Sequence, residues 1–293
     1  MTKLIDYNCK ANTFVGITSE FAEENNLHLP EIYLNAEDLA DISIALQKKN
    51  GNYFSVLPLD PSLISEAKGA DIKFDQSNLG PRKNTDTVKT IEELLELPKI
   101  DFSKGRIAET LKAVTILKSK GYHPAIEITG PFSIINGLMD LPRFMMAFRK
   151  KGELIEEIFT KFNIDLVRYF LEANNAGCEI IFYEDPSVGI NLLGPKYMKQ
   201  VLNWSTIPLL KELDEKLDKN CLVYLCPKLS FALAGTDLIE WKKLSLEKDM
   251  PYHDAMVNSV GKVRFSGNRC RKNDKHIATG SFPYFELKPT QVN

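Results

Sequence analysis

From residue 106 onward the chain repeats one grammar: an amphipathic stretch, a Gly or Asn stop, a short apolar run, then a polar cluster with Gly or Pro. In the first unit Ile107, Leu111, Val114, Ile116 and Leu117 recur at near-helical spacing up to Gly121. Ala125 to Ile128 then reads as a strand that Thr129-Gly130-Pro131 ends. In the second, Ile155, Ile158, Phe159, Phe162, Leu166, Tyr169, Phe170 and Ala173 mark a long helix, Gly177 stops it, and Glu179 to Tyr183 is the strand. The third runs as helix from Lys196 to Leu217 with a kink or break at Pro208, then Leu222 to Leu225 as strand. The fourth pairs a helix over Asp254 to Val260 with a strand over Lys262 to Phe265. Gly or Asn suits the left-handed cap of a helix, and Pro cannot continue a central strand. Strands alternating with helices imply a parallel sheet flanked by helices. Periodicity alone leaves open whether that sheet is an open doubly wound one or a closed (β/α)8 barrel.

The same grammar is fainter before residue 106. Ala36 to Lys49 reads as helix, Tyr53 to Leu57 as strand, Ile64 to Lys68 as a short helix and Thr90 to Leu97 as another. A prior of about 150 residues per domain suggests two domains for 293 residues, but one α/β barrel runs to about 250 and no composition break marks a second domain. Lys and Arg total 37 against 39 Asp and Glu, so no basic excess points to nucleic acid or an anionic membrane surface. No Gly-x-Gly-x-x-Gly or Walker sequence follows a strand. The N-terminus lacks a secretory apolar core, no run is long enough to cross a bilayer, and the five scattered cysteines suggest thiols in a reducing cytoplasm.

Parallel α/β proteins place their active sites at the carboxyl ends of the strands. The candidates are therefore Thr129, Glu184, Asp185, Tyr224, Cys226 and the loop Gly267-Asn268-Arg269-Cys270. Cys226 and Cys270 follow neighbouring strands, and two thiolates with one further ligand make an open zinc site. The alternative is packing, since Cys also behaves as a small buried hydrophobe. Cys178 and Cys221 sit at the opposite strand ends and read as packing residues, and Cys9 is uninformative. His276, six residues past Cys270, is a further candidate ligand. Glu184 and Asp185 are successive, so at most one faces a cavity while the chain stays extended.

Several segments, in order, resemble the uroporphyrinogen decarboxylase superfamily, and within it the methylcobamide:coenzyme M and related corrinoid methyltransferases. They are Pro61 to Asp71, resembling Glu-Ala-x-Gly-Ala; Gly80-Pro81-Arg82; Thr90 to Leu94; Thr129-Gly-Pro-Phe-Ser133; Ala176 to Ser187 with its Asp185-Pro186; and Leu193-Gly-Pro-Lys196. The resemblance implies a (β/α)8 TIM-type barrel with a shortened C-terminus, a single domain over 1–293 with residues 1–50 as a helical lead-in. It implies a cytoplasmic methyltransferase of one-carbon metabolism. A corrinoid, such as a cobalamin, carried by a partner protein would give its methyl group to a small thiol acceptor activated by zinc. Family zinc ligands are a His-x-Cys pair and a distant Cys. Here Tyr224-Leu225-Cys226 stands at the His-x-Cys position and Cys270 is the distant candidate. Asp185 and Glu184 take catalytic roles beside Tyr224, Thr129 and Asn268 take cofactor-binding ones, and Asp185 is favoured over Glu184 through the family's Asp-Pro. Two alternatives stand beside this. The decarboxylase uses N-terminal arginines, whereas residues 1–31 contain none. A non-catalytic corrinoid- or ligand-binding relative is motivated by Tyr224 and the short C-terminus.

Overall fold

The computed structural model describes residues 7, 17–51, 53–57, 60–75, 80–271 and 276–289; Cys9 lies outside them. The chain divides into two compact units, one of residues 13–178 and the other of 1–12 with 179–293.

In the first unit, α1 (Ala36–Asn50) starts at Asn35, whose side chain accepts from the Asp38 amide at 2.9 Å, and ends at Gly51 with φ 63°. A left-handed residue is needed there to turn the last carbonyls inward, and glycine alone adopts it without strain. Strand β1 (Ser55–Leu57) pairs in parallel with β2 (Pro124–Thr129), with Ser55 opposite Pro124. Between them run α2 (Leu63–Ala67) and α3 (Gly105–Ser119). The expected helix over 90–97 shrinks to Glu93–Glu96, with Leu97 extended before Pro98. Helix α4 (Gly152–Asn175) buries every apolar position read from its 3.6-residue period, from Ile155 to Ala173. Its Phe159 packs against Phe144 and Phe148, which come from a helix over Leu141–Phe148 that periodicity missed.

In the second unit, β3 (Ile180–Glu184) pairs in parallel with β4 (Leu222–Leu225). Helix α5 (Ile190–Val201) runs into one π-turn over Leu202–Thr206 and then α6 (Ile207–Lys216). The break expected at Pro208 is this π-turn, which leaves Pro208 in the first turn of α6, where a missing N–H costs nothing. Helix α7 (Pro227–Gly235) follows β4 directly, and then comes β5 (Ile239–Ser245). Helix α8 (Tyr252–Ser259) leads into β6 (Phe265–Ser266), which is parallel to β4. The expected strand from Lys262 is shorter because Ser259 bonds back to Lys262 and Val263 in a turn.

The last strand, β7 (Ser281–Leu287), departs from the repeating grammar. It pairs antiparallel with β6 at Phe285 opposite Phe265, and antiparallel with β5 over all seven residues. The order in this unit is therefore β3, β4, β6, β7, β5. Trp241 and Phe285, opposite each other on the antiparallel pair β5 and β7, meet edge to face at 5.4 Å. Cys178 and Cys221 are fully buried, as packing residues should be, and burial pushes the Cys221 thiol up to about 12. Among the described residues, no helix is long and apolar enough to cross a membrane.

Candidate active site

Three strand ends of the second unit supply the candidates. Glu184 closes β3, Cys226 follows β4, and the loop Gly267–Arg271 follows β6. The loop can lie there because residue 267 is glycine. Its φ is 146°, and a Cβ on it would stand 2.3 Å from the Leu225 carbonyl oxygen. Ser230 Oγ donates to the Gly267 carbonyl at 2.6 Å and fixes that approach.

Cys226 caps the N-terminus of α7, and its backbone N–H bonds to the Tyr183 carbonyl at 2.9 Å. The position is one where a helix dipole favours negative charge. Both Cys226 and Cys270 are half-buried thiols. Glu184 accepts from Arg271 Nε at 3.1 Å, and the Arg271 guanidinium lies 4.9 Å from the centre of the Phe182 ring. Asp185 is only 2% exposed, and its carbonyl accepts from the Val188 amide at 2.9 Å. Glu184 is thus one carboxylate that meets the loop, and Asp185, the one the sequence favours, is the more deeply buried of the two. The Asp-Pro step turns the chain, which buries Asp185.

Tyr224 is 2% exposed. Its hydroxyl donates to the Arg269 carbonyl at 2.7 Å and accepts from the Arg269 amide at 3.2 Å. The Tyr252 hydroxyl lies 3.2 Å away and donates in turn to Asn268 Oδ1. Burial lifts the Tyr224 phenol well above its usual range and Tyr252 to about 12. His253 Nε2 is 3.2 Å from the Arg271 carbonyl, and the His276 ring stands against Tyr252 with centroids 5.9 Å apart. Burial, then Arg269, lowers the His276 pKa. Asn268, expected to bind cofactor, accepts from the Tyr252 hydroxyl at its Oδ1. Thr129 ends β2 in the first unit, half-buried.

Among the described residues the donor set does not fit zinc. Structural and catalytic zinc sites need three or four converging N, S or O ligands. Among the described residues, no three His, Cys, Asp or Glu side chains come together that way. Tyr224 fills the His position with a hydroxyl already bonded to backbone. The expected Cys226 and Cys270 site therefore lacks its third ligand among these residues.

Sequence reasoning missed Tyr252 and Arg271 as members of this cluster. The arginines flanking Cys270 were the available signal. A cavity of about 390 Å³ lies elsewhere, beside Lys262–Phe265 and Glu286 at the start of β6. Arg264 there is spent on the Leu217, Asp218 and Cys221 carbonyls, closing the end of α6.

Comparison with known proteins places the chain. It is 24% identical over 249 residues to the methylcobamide:CoM methyltransferase MtbA of Methanosarcina mazei, covering 82% of this chain and 71% of that protein. It is 23% identical over 228 residues to a methylated-thiol–coenzyme M methyltransferase of the same organism, covering 76% of this chain but 60% of that one. A solved methyltransferase from Methanosarcina mazei superposes with a TM-score of 0.62 at 19% identity, over 76% of this chain and 66% of the other. The family model of uroporphyrinogen decarboxylase (URO-D) matches residues 16–269. That family's fold is a TIM barrel, the class to which this α/β chain with its parallel strands conforms. On a match of that extent, the chain belongs to the uroporphyrinogen decarboxylase family.

Proposed function

We propose that the chain transfers a methyl group between a methyl-corrinoid protein and a small thiol acceptor. The observation that carries this is the Glu184–Arg271 ion pair that ties the carboxyl end of β3 to the loop after β6, together with likeness to two methyltransferases whose names specify methyl transfer to coenzyme M. The acceptor thiol attacks the methyl carbon. The new S–C bond forms as the methyl–cobalt bond breaks, and that bond's electron pair stays on cobalt. The thiol proton must leave, and Glu184 is the base we assign to it. Arg271 beside Glu184 supplies the positive charge that favours a thiolate. No step is routed through zinc, which the described donors do not fit. Asp185 supports the strand end from its buried position. Thr129 remains a candidate cofactor contact of the first unit.

The test is a methyl-transfer assay with methylcobalamin and a panel of thiols that includes coenzyme M, following loss of the methyl–cobalt absorbance and the S-methyl product. Turnover is expected, reduced about tenfold or more in Glu184→Gln, in the range of a general base. No product from any thiol would favour a corrinoid- or ligand-binding protein without turnover, the reading that Tyr224 in the histidine position supports. Carbon dioxide release from uroporphyrinogen would instead restore the decarboxylase.

A further inference from the structure

Gly267, Asn268, Arg269 and Arg271 of the loop are pinned by side chains from elsewhere in the same unit. Ser230 holds the Gly267 carbonyl, Tyr252 the Asn268 amide group, Tyr224 both the N–H and the carbonyl of Arg269, and His253 the Arg271 carbonyl. A zinc ion bound between two cysteines would fix such a loop by ligation. Here hydrogen bonds do that job, and they use the atoms a metal would need.

A phenol oxygen has one proton and two lone pairs. Tyr224 gives its proton to the Arg269 carbonyl, takes the Arg269 N–H, and has the Tyr252 hydroxyl against its remaining side at 3.2 Å. Zinc at that oxygen would need a contact near 2 Å and would strip both partners from the Arg269 peptide. Two nearby alternatives already have partners. Glu184 Oε1 accepts from Arg271 Nε. A carbonyl oxygen only accepts, so His253 Nε2 must carry its proton toward Arg271 and offers no lone pair there.

We infer that Tyr224 is a positioning residue that holds the Cys270 loop in place of a metal ligand, and that Cys226 and Cys270 hold no zinc in this protein. The inference goes beyond the proposed reaction, because its readouts are metal content and loop exchange, neither of which requires turnover.

Protein produced with zinc in the medium and purified without chelator would be analysed for metal and titrated with Co²⁺, whose thiolate complexes absorb strongly. The expected result is no zinc that depends on the two cysteines and no thiolate-to-cobalt band. Amide hydrogen exchange then reads the clamp. In Tyr224→Phe the Arg269 amide loses its acceptor, and its exchange should quicken by about tenfold or more while zinc stays absent. Tyr252→Phe serves the same purpose if Tyr224→Phe does not fold, through the Asn268 contact. Zinc that disappears in Cys226→Ser/Cys270→Ser would overturn the inference, as would Arg269 exchange unchanged by loss of the Tyr224 hydroxyl. Both results are independent of methyl transfer, so an inactive protein could still pass and an active one could still fail.

Discussion

Lys68 is 1% exposed, an unusual fate for the most soluble of side chains. Its Nζ donates to Asp165 at 2.6 Å and to the Pro98 carbonyl at 2.9 Å, and it lies 4.9 Å from the centre of the Phe162 ring. Burial lowers its pKa while Asp165 pulls it back up. Removing one partner of such a pair strands the other charge in the interior. Lys68→Met is therefore expected to cost about 3–5 kcal/mol in urea unfolding, and Lys68→Met/Asp165→Leu less than the single change. A double variant as unstable as the single one would show that the pair does not act as a unit. In the sequence this lysine is only the variable position of a Glu-Ala-x-Gly-Ala segment, and its partner is 97 positions away. The candidate site has the same limit. Tyr224 was visible as a departure from His-x-Cys, but its bond to Arg269 spans 45 positions, a separation that no local pattern encodes. What stood out as residues near the strand ends was legible; which atom bonds which was not.

Elements were more legible than contacts, and unevenly so. The parallel strands β1 to β4 announce themselves as apolar runs closed by Pro or Gly, because a buried strand must be apolar on both faces and must stop where the chain turns. Strands β5 and β7 were missed. Ile-Glu-Trp-Lys-Lys-Leu-Ser, the β5 sequence, is charged along one side, and β7 contains Pro283, which argues against a strand. Antiparallel pairing across the whole length of the two strands outweighs both signals. Gly267 is where element geometry constrains the site most directly. A methyl group there would meet the Leu225 carbonyl at 2.3 Å on a backbone at φ 146°. Gly267→Ala should cost about 2 kcal/mol or more and shift the 268–271 loop, which ties the end of β4 to the reactive face. Urea unfolding measures the first and hydrogen exchange of the loop the second. An alanine variant of native stability with the loop undisturbed would mean that the approach of loop to strand is looser than the geometry states.

At the scale of the whole molecule, the buried acids that are protonated at neutral pH set an alkaline limit. Burial raises Tyr33 and Tyr252 to about 12 and Cys221 to about 12, and it lifts Tyr169, Tyr183 and Tyr224 well above the ordinary phenol value. The unfolded chain gives up these protons near pH 9 for the thiol and near pH 10 for the phenols, while the folded chain keeps them. A folded pKa raised above the unfolded one contributes stability that is complete below the unfolded value and drains away as pH rises through the folded value. Each group therefore withdraws stability as pH rises above its unfolded value. Lys68, whose pKa is lowered, moves the other way but is one group against six. The protein should accordingly unfold cooperatively at about pH 11–12. Tyrosinate absorbance and circular dichroism, followed together, test this. The five buried tyrosines should ionise only as the circular dichroism collapses. Ten tyrosines ionising together near pH 10, with the folded signal unchanged, would refute it.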